Sequence, residues 1–317
     1  MKIAITCHYA SLPEDHPTWK RAIEVAEVVL SEKTNLSKKE LLDFVSDADA
    51  LISGTDFMKE DVIAELPDCL RVISRPAVGY DRVDIKAARE RGIDVCNAPG
   101  TNSNAVAELA MGLMLCCARQ LPYHFFNTSH KLWKNDKNGM ELSGKTLGIL
   151  GLGAIGKELA KKATAFGMKV LGYSRHIDEA FCKKYGIIPA DRETIFQNSD
   201  VISLHMPQTP LTKESINKAA FEQMKKGVIL INTSRGYLVN RNDLVDAIKS
   251  GIVASYGTDV MQEEPPKVDD PLFGLDEVVI TPHMGASTEE AHIKMMDVAM
   301  TNALDILEGK PCKNIVN

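Results

Sequence analysis

The stretch Gly151-Leu152-Gly153-Ala154-Ile155-Gly156 constrains this chain more than any other, because its three glycines fall at the junction of two unlike patterns. Before it, Thr146–Leu150 is a short apolar run of the kind that forms a buried strand. After it, Lys157–Phe166 carries helical periodicity. Gly151 permits a tight turn, Gly153 lets a phosphate approach the backbone, and Gly156 lets helix pack on strand. The helix then turns its unpaired N–H groups and the positive end of its dipole toward the turn, which suits a dinucleotide pyrophosphate. Cofactor contacts are therefore expected at Gly151, Gly153, Ala154, Ile155 and Gly156.

The same alternation of short β-branched runs with longer helical patterns extends over the whole chain and predicts α/β units with parallel sheets. Strands are expected at Lys2–Thr6, Val25–Leu30, Ala50–Ser53, Arg71–Ser74 and Ile93–Cys96, with helices such as Lys38–Val45 and Asp84–Glu90 between them. Five such strands predict a small doubly wound domain of the flavodoxin-like kind. Asn97-Ala98-Pro99-Gly100 breaks the run like a linker. A helix apolar nearly all round, and so buried, is expected from Asn104 to Arg119. Leu121 to Leu142 reads as polar and irregular. Six further strands follow at Thr146–Leu150, Lys169–Tyr173, Val201–His205, Val228–Asn232, Ala254–Gly257 and Val278–Thr281. Ser287-x-x-Glu290 is a capping-box pattern that opens one long helix, Ser287 to Glu308.

Composition narrows the function classes. Of 317 residues, 44% are hydrophobic and 25% charged, and the net charge of −6 comes with no long block of one sign. That argues against a nucleic-acid binder, which would show a basic stripe, and against a polybasic membrane anchor. The charge-free apolar run Leu109–Ala118 is half the length of about 20 residues that spans a bilayer. No secretory pattern is visible at Met1-Lys2-Ile3-Ala4-Ile5-Thr6. Cys7, Cys69, Cys96, Cys116, Cys117, Cys182 and Cys312 are odd in number and contain no C-x-x-C, so neither a disulfide framework nor a metal site is expected, and a cytoplasmic setting is.

An NAD site wants an acid about 20 residues beyond the glycines, to bind the adenosine ribose hydroxyls. Here Ser174 and Arg175 stand there, and the first acid is Asp178. Serine with arginine suits a 2′-phosphate, so NADP(H) is the preferred cofactor; NAD(H), used without the usual acid, is the alternative.

Ligands of open α/β sheets bind beyond the carboxyl ends of the strands. Late strand ends in this chain lead into Thr233-Ser234-Arg235-Gly236, Thr258-Asp259-Val260 with Glu263-Glu264-Pro265, and Pro282-His283-Met284-Gly285. Each of these residues alone has a bland reading, as a surface ion pair, a solvated acidic turn or a turn histidine. Together they suit hydride transfer to a 2-keto acid. Arginine forks onto the substrate carboxylate, histidine gives a proton to the carbonyl oxygen, and a carboxylate orients the imidazole and favours its protonated form.

At this point the chain resembles the D-isomer-specific 2-hydroxyacid dehydrogenases, from about Ala50 onward. The resemblance rests on Arg75-Pro76-Ala77-Val78-Gly79-Tyr80-Asp81, Asn104-Ala105-Val106-Ala107-Glu108, the glycine turn, Asn232-Thr233-Ser234-Arg235-Gly236, Asp259-Val260 with Glu264-Pro265, and Thr281-Pro282-His283. It implies a homodimer in which a Rossmann cofactor domain, 100–287, is inserted into a flavodoxin-like substrate domain, 1–99 with 288–317. It implies a catalytic triad of Arg235, Glu264 and His283, with Glu264 chosen over Glu263 because the acid before the proline matches. Substrate would lie on Ala77, Val78, Gly79, Arg235 and His283. Beyond the glycine turn, Ser174 and Arg175, the cofactor would touch Val78, His205, Met206, Pro207, Thr233, Ser234, Arg235, His283, Gly285 and Ala286, and Asp259 would hold the nicotinamide carboxamide.

Within that resemblance, the expected activity is reduction of a small 2-keto acid such as glyoxylate or hydroxypyruvate. Two alternatives stand beside it: a D-3-phosphoglycerate dehydrogenase, and a non-enzymatic dinucleotide-sensing protein like the corepressors that resemble the family. Arg75 matches one phosphate-binding arginine of the phosphoglycerate branch, but Gly54 stands where another is expected, and no appended regulatory domain is expected. Formate dehydrogenases carry Gln at the position of Glu264, which disfavours formate. Trp133 resembles a tryptophan that, in glyoxylate and hydroxypyruvate reductases, enters the partner subunit's active site; a dimer-interface anchor is its other reading.

Overall fold

The computed structural model describes residues 1–7 and 12–317. Contacts gather these into two compact units, Met1–Asn102 with Ala286–Asn317, and Ser103–Gly285.

In the first unit, β1 (Lys2–Ile5), α1 (Pro17–Val25), β2 (Glu27–Leu30), α2 (Lys38–Phe44) and β3 (Ala50–Ile52) are followed by α3 (Glu60–Ile63), β4 (Val72–Ser74), α4 (Ile85–Glu90) and β5 (Asp94–Cys96). The sheet is parallel throughout, in the order β2-β1-β3-β4-β5, the flavodoxin-like order. Successive strand residues feed opposite faces: Ile3, Ile5, Ile52 and Val72 enter one core, and Ala4, Leu51 and Ile73 the other. A sheet apolar on both faces needs cover on both.

The second unit opens with α5 (Ser103–Ala118) and α6 (Leu121–Ser129). It continues with β6 (Thr146–Leu150), α7 (Ala154–Ala165), β7 (Lys169–Tyr173), α8 (Glu179–Tyr185), β8 (Ile188–Pro189), α9 (Arg192–Asn198) and β9 (Val201–Leu204). It closes with α10 (Lys218–Phe221), β10 (Val228–Asn232), α11 (Arg241–Lys249), β11 (Val253–Thr258) and β12 (Val278–Ile280). Its seven strands are all parallel, in the order β12-β11-β10-β9-β6-β7-β8. Numbered from β6, that is 7-6-5-4-1-2-3, the doubly wound nucleotide-binding order, with its switch point between β6 and β9. Helix α5 buries ten of its sixteen residues. It lies so close to β11 that a Cβ on Gly257 would sit 3.0 Å from Cys117 Sγ. Burial pushes the Cys117 thiol up to about 12, as a packing role requires.

The chain returns to the first unit as α12 (Glu289–Leu307). Met296, Ala299, Met300, Ala303, Leu304 and Leu307, at helical spacing, cover the face lined by Ile3, Ile5, Ile52 and Val72.

Several sequence expectations are corrected. The strand expected at Val25 begins at Glu27, because α1 runs through Val25: Trp19, Ala22 and Ala26 share the core at helical spacing, and this outweighs the β preference of Val25. Leu121–Leu142 is not irregular throughout, since Pro122 in the first turn starts α6 after Gln120 breaks α5 at φ 53°. Helix α7 begins at Ala154, so Ala154, Ile155 and Gly156 form its first turn. Ser287 does not cap α12; Thr288 does, accepting from Ala291 N–H at 3.1 Å. A seventh strand, β8, escaped the pattern because its two residues are exposed and one is a proline at the sheet edge. Among the described residues, no single helix is long and apolar enough to cross a membrane.

Candidate active site

The cradle for the phosphates lies at the switch point of the second sheet. Gly151 has φ +109°, and a Cβ there would come within 2.5 Å of the His205 carbonyl oxygen, so the turn after β6 and the end of β9 approach closely only because residue 151 is glycine. A Cβ on Gly156 would lie 2.3 Å from the Gly151 carbonyl oxygen, while one on Gly153 would meet nothing within 4 Å. The middle glycine thus keeps the outer face of the turn open. Gly153 caps α7 without any side-chain hydrogen bond, so the first-turn N–H groups stay available to an anion. These residues fit a dinucleotide.

At the end of β7, Ser174 is half-buried and Arg175 exposed. Asp178 is occupied elsewhere: it accepts from Phe181 N–H at 3.0 Å to cap α8 and pairs with Lys157 at 2.6 Å. Those hydrogen bonds hold its carboxyl below the usual range. Among the described residues, Arg175 makes no hydrogen bond or ion pair.

Three more expected cofactor positions follow β9. His205 N–H donates to the Leu150 carbonyl, and its Nε2 lies 2.9 Å from Ser203 Oγ. Met206 accepts from the Ser234 hydroxyl, and Pro207 from Thr212. The Nδ1 of His205 and the hydroxyl of Thr233 are buried without a partner, two polar atoms beside the cradle that a ligand would complete.

Burial pushes the His205 imidazole down to about 4, against 6.5 in an unfolded chain. Its contribution to stability is present above pH 6.5 and is lost as pH falls toward 4, because the unfolded chain takes up the proton first. We expect His205 to account for about 2 kcal/mol of lost stability between pH 7.5 and 5. Urea unfolding of wild type and His205→Asn at both pH values checks this; equal losses in the two proteins would refute it.

The loops after β10, β11 and β12 carry the residues from which acid–base work is expected. Asn232 folds the first of them: its Oδ1 accepts from Ser234 N–H at 3.1 Å and its Nδ2 donates to the Arg235 carbonyl at 3.0 Å. Arg235 donates to the Ser234 carbonyl at 2.8 Å. A Cβ on Gly236 would sit 2.2 Å from the backbone of Met261, so the Arg235 turn lies directly on the segment leading to Glu264. Glu264, before a cis peptide bond to Pro265, accepts from Met261 N–H through Oε1 and meets His283 Nδ1 at 2.6 Å through Oε2. His283 stands at φ 51°, a left-handed conformation that costs an L-residue about 1–2 kcal/mol.

Asp259 holds His283 in that conformation. Only 2% exposed, it accepts from the Thr281 hydroxyl at 2.6 Å and Met284 N–H at 2.8 Å on Oδ1, and from Gly285 N–H at 2.7 Å on Oδ2. The carboxamide contact expected of Asp259 from the sequence is thus left one lone pair on Oδ2, since both oxygens already bind the loop that carries the histidine. Sequence reading did not foresee this brace or the part of Thr281 in it, nor that Asn232 and Gly236 set the Arg235 turn. The signals were that each stands within four residues of a strand end and belongs to a motif that carries the resemblance.

Ala77, Val78 and Gly79 belong to the first unit, just beyond β4. Ala98 N–H donates to the Ala77 carbonyl at 2.8 Å and Asn97 Nδ2 to the Val78 carbonyl at 2.9 Å. Ala286 also groups with the first unit, where its carbonyl accepts from Thr288 N–H.

Sheet order and glycine turn define the class: a dinucleotide-binding α/β protein with an imidazole–carboxylate pair on the same sheet edge. Residues 111–285 match the family described as D-isomer specific 2-hydroxyacid dehydrogenase, NAD binding domain. The chain is 40% identical over 307 residues to a D-3-phosphoglycerate dehydrogenase of Methanocaldococcus jannaschii, covering 95% of this chain and 58% of that one. It is 41% identical over 260 residues to a hydroxypyruvate reductase of Thermotoga maritima, covering 81% and 84%. The TT0316 protein of Thermus thermophilus superposes with a TM-score of 0.89 at 36% identity over the whole of both chains. This chain spans little more than half the length of the curated phosphoglycerate dehydrogenases it matches. It belongs to the D-isomer-specific 2-hydroxyacid dehydrogenase family.

Proposed function

We propose that the protein is an NADPH-preferring reductase of small 2-keto acids, with hydroxypyruvate and glyoxylate as substrates. The observation that carries this reading is the His283–Glu264 contact at 2.6 Å, held at the sheet edge of the glycine turn by Asp259. A bound nicotinamide supplies the hydride. With Nδ1 engaged by Glu264, His283 presents Nε2, from which the proton passes to the substrate carbonyl oxygen. Arg235 forks onto the substrate carboxylate and fixes the carbonyl carbon for attack from one face.

Names among the relatives raise a phosphorylated substrate as the second reading. Gly54 speaks against it. It offers no side chain, and a Cβ there would already crowd Cys7 and the Thr6 carbonyl at 3.3 Å, so no phosphate-binding arm extends from this strand end. Steady-state assays with hydroxypyruvate, glyoxylate and 3-phosphohydroxypyruvate test the choice. A kcat/KM highest for the phosphorylated acid would overturn it, and no turnover with any of the three would favour a dinucleotide sensor.

For the cofactor, the engaged Asp178 and the exposed Arg175 support a 2′-phosphate partner. We expect kcat/KM for NADPH to exceed that for NADH by about tenfold or more, and Arg175→Asp to reverse the order. A wild-type preference for NADH would remove the assignment.

We further propose a homodimer in a reducing cytoplasm. Trp133 is 97% exposed, and Phe125, Phe126 and Leu132 are exposed in the same stretch, a set that association would cover. An odd number of cysteines with no C-x-x-C pair fits the compartment. Sedimentation of wild type and Trp133→Ala tests the assembly.

A further inference from the structure

Peptide geometry in the first unit leads to a residue that the sequence marks only as the start of a linker. In a trans peptide the C=O and the following N–H point in opposite directions. The Ala77 carbonyl is held by Ala98 N–H at 2.8 Å, so the N–H of Val78 faces away from the end of β5. The Val78 carbonyl is held by Asn97 Nδ2 at 2.9 Å, so the N–H of Gly79 faces away as well. Among the described residues, neither N–H has an acceptor. Two adjacent donors are thus aimed outward by tethers on their own carbonyls, the arrangement that backbone sites for anionic oxygen use.

Asn97 can serve as a tether because both of its backbone groups are themselves fixed. Its N–H donates to the Asn314 carbonyl at 3.2 Å, and its carbonyl accepts from Asn302 Nδ2 at 2.9 Å. Asn302, 3% exposed on α12, accepts in turn from Asn314 Nδ2 at 2.8 Å and from Cys312 Sγ at 3.5 Å. Three asparagines, from the residue after β5, from α12 and from the segment after α12, close a ring of hydrogen bonds. Asn97, 8% exposed, hands the rigidity of that ring to Val78.

We infer that Asn97 is a positioning residue for the substrate carboxylate, acting through the Val78 carbonyl to aim the N–H groups of Val78 and Gly79, with Asn302 as its support. This rests on the 2-keto acid reading above. Asn97→Asp keeps the shape of the side chain but replaces the donor with an oxygen that repels the carbonyl.

The test measures Asn97→Asp and wild type in two ways. Steady-state kinetics give KM and kcat for the keto acid, KM for NADPH, and Ki for oxalate as a competitive dicarboxylate. Hydrogen exchange then follows the Val78 and Gly79 amides with and without oxalate. We expect KM for the keto acid and Ki for oxalate to rise together, by about ten- to a hundredfold, with KM for NADPH unchanged. Oxalate should slow exchange at both amides in wild type and fail to do so in the variant. Should Asn97→Asp not fold, Asn97→Ser, too short to touch the Val78 carbonyl, replaces it with the same expectations. A lowered melting temperature with unchanged KM, Ki and protection would make Asn97 purely structural and overturn the inference. A wild type that reduces no 2-keto acid would overturn the substrate reading instead, and oxalate protection would still report whether the loop takes a carboxylate.

Discussion

Replacing His283 with alanine is expected to lower kcat/KM for the keto acid by about two to four orders of magnitude, the range for loss of a positioned general acid. The cofactor should still bind with near-normal affinity. The reason is local. Asp259 grips the loop through the Thr281 hydroxyl and the N–H groups of Met284 and Gly285, none of which belongs to the histidine side chain. The loop therefore keeps its course while the donor disappears. Glu264 loses a partner on Oε2 but keeps Met261 N–H on Oε1. Steady-state and single-turnover rates, with a cofactor-binding titration and a melting curve, separate lost chemistry from lost structure. Near-normal kcat/KM in His283→Ala would remove His283 as the proton donor.

Exchanging Arg235 for lysine should raise KM for the keto acid by about ten- to a hundredfold, with a smaller fall in kcat. Lysine keeps the charge but brings a point ammonium where the guanidinium offers two parallel donors in a plane. The turn itself should survive, because Asn232 holds it through the Arg235 carbonyl and Ser234 N–H, both backbone groups. Arg235→Lys therefore tests the proposed substrate contact rather than the fold. Initial-rate kinetics at saturating NADPH give KM directly. An unchanged KM would mean that the carboxylate is held elsewhere.

The two substitutions are expected to differ in kind. Loss of the proton donor removes an interaction made only as the carbonyl is reduced, so kcat and kcat/KM fall together. Loss of the fork removes substrate binding first. If both variants showed the same pattern, the separate roles given to His283 and Arg235 would not stand.

Much of the fold is legible in the sequence alone. Strand–turn–helix around Gly151, Gly153 and Gly156 is encoded in consecutive residues, and steric demands within one turn leave a readable pattern. The alternating apolar runs that feed both faces of each sheet are equally local. Fewer signs marked α1, since Val25 looks like strand until Trp19, Ala22 and Ala26 are seen to share a core. The capping-box pattern at Ser287 is one residue out of register: Thr288 caps the helix instead.

The site divides in the same way. Residue types at strand ends pointed to Arg235, His283 and a carboxylate at 263 or 264, because sheet topology decides which ends share an edge and topology follows from the order of elements; the family resemblance chose Glu264. What the sequence by itself determined is therefore the two parallel sheets, the glycine cradle and the chemical inventory of its edge. Tertiary structure alone decided how that inventory is held. Asp259 is spent on residues 22 to 26 further along the chain, and Asn97 joins Val78 to Asn302 and Asn314, over 200 residues away. Hydrogen bonds between a side chain and a distant backbone group impose no period and need no neighbouring signature. They exist only once the chain has closed around them, so their partners cannot be read from the order of residues.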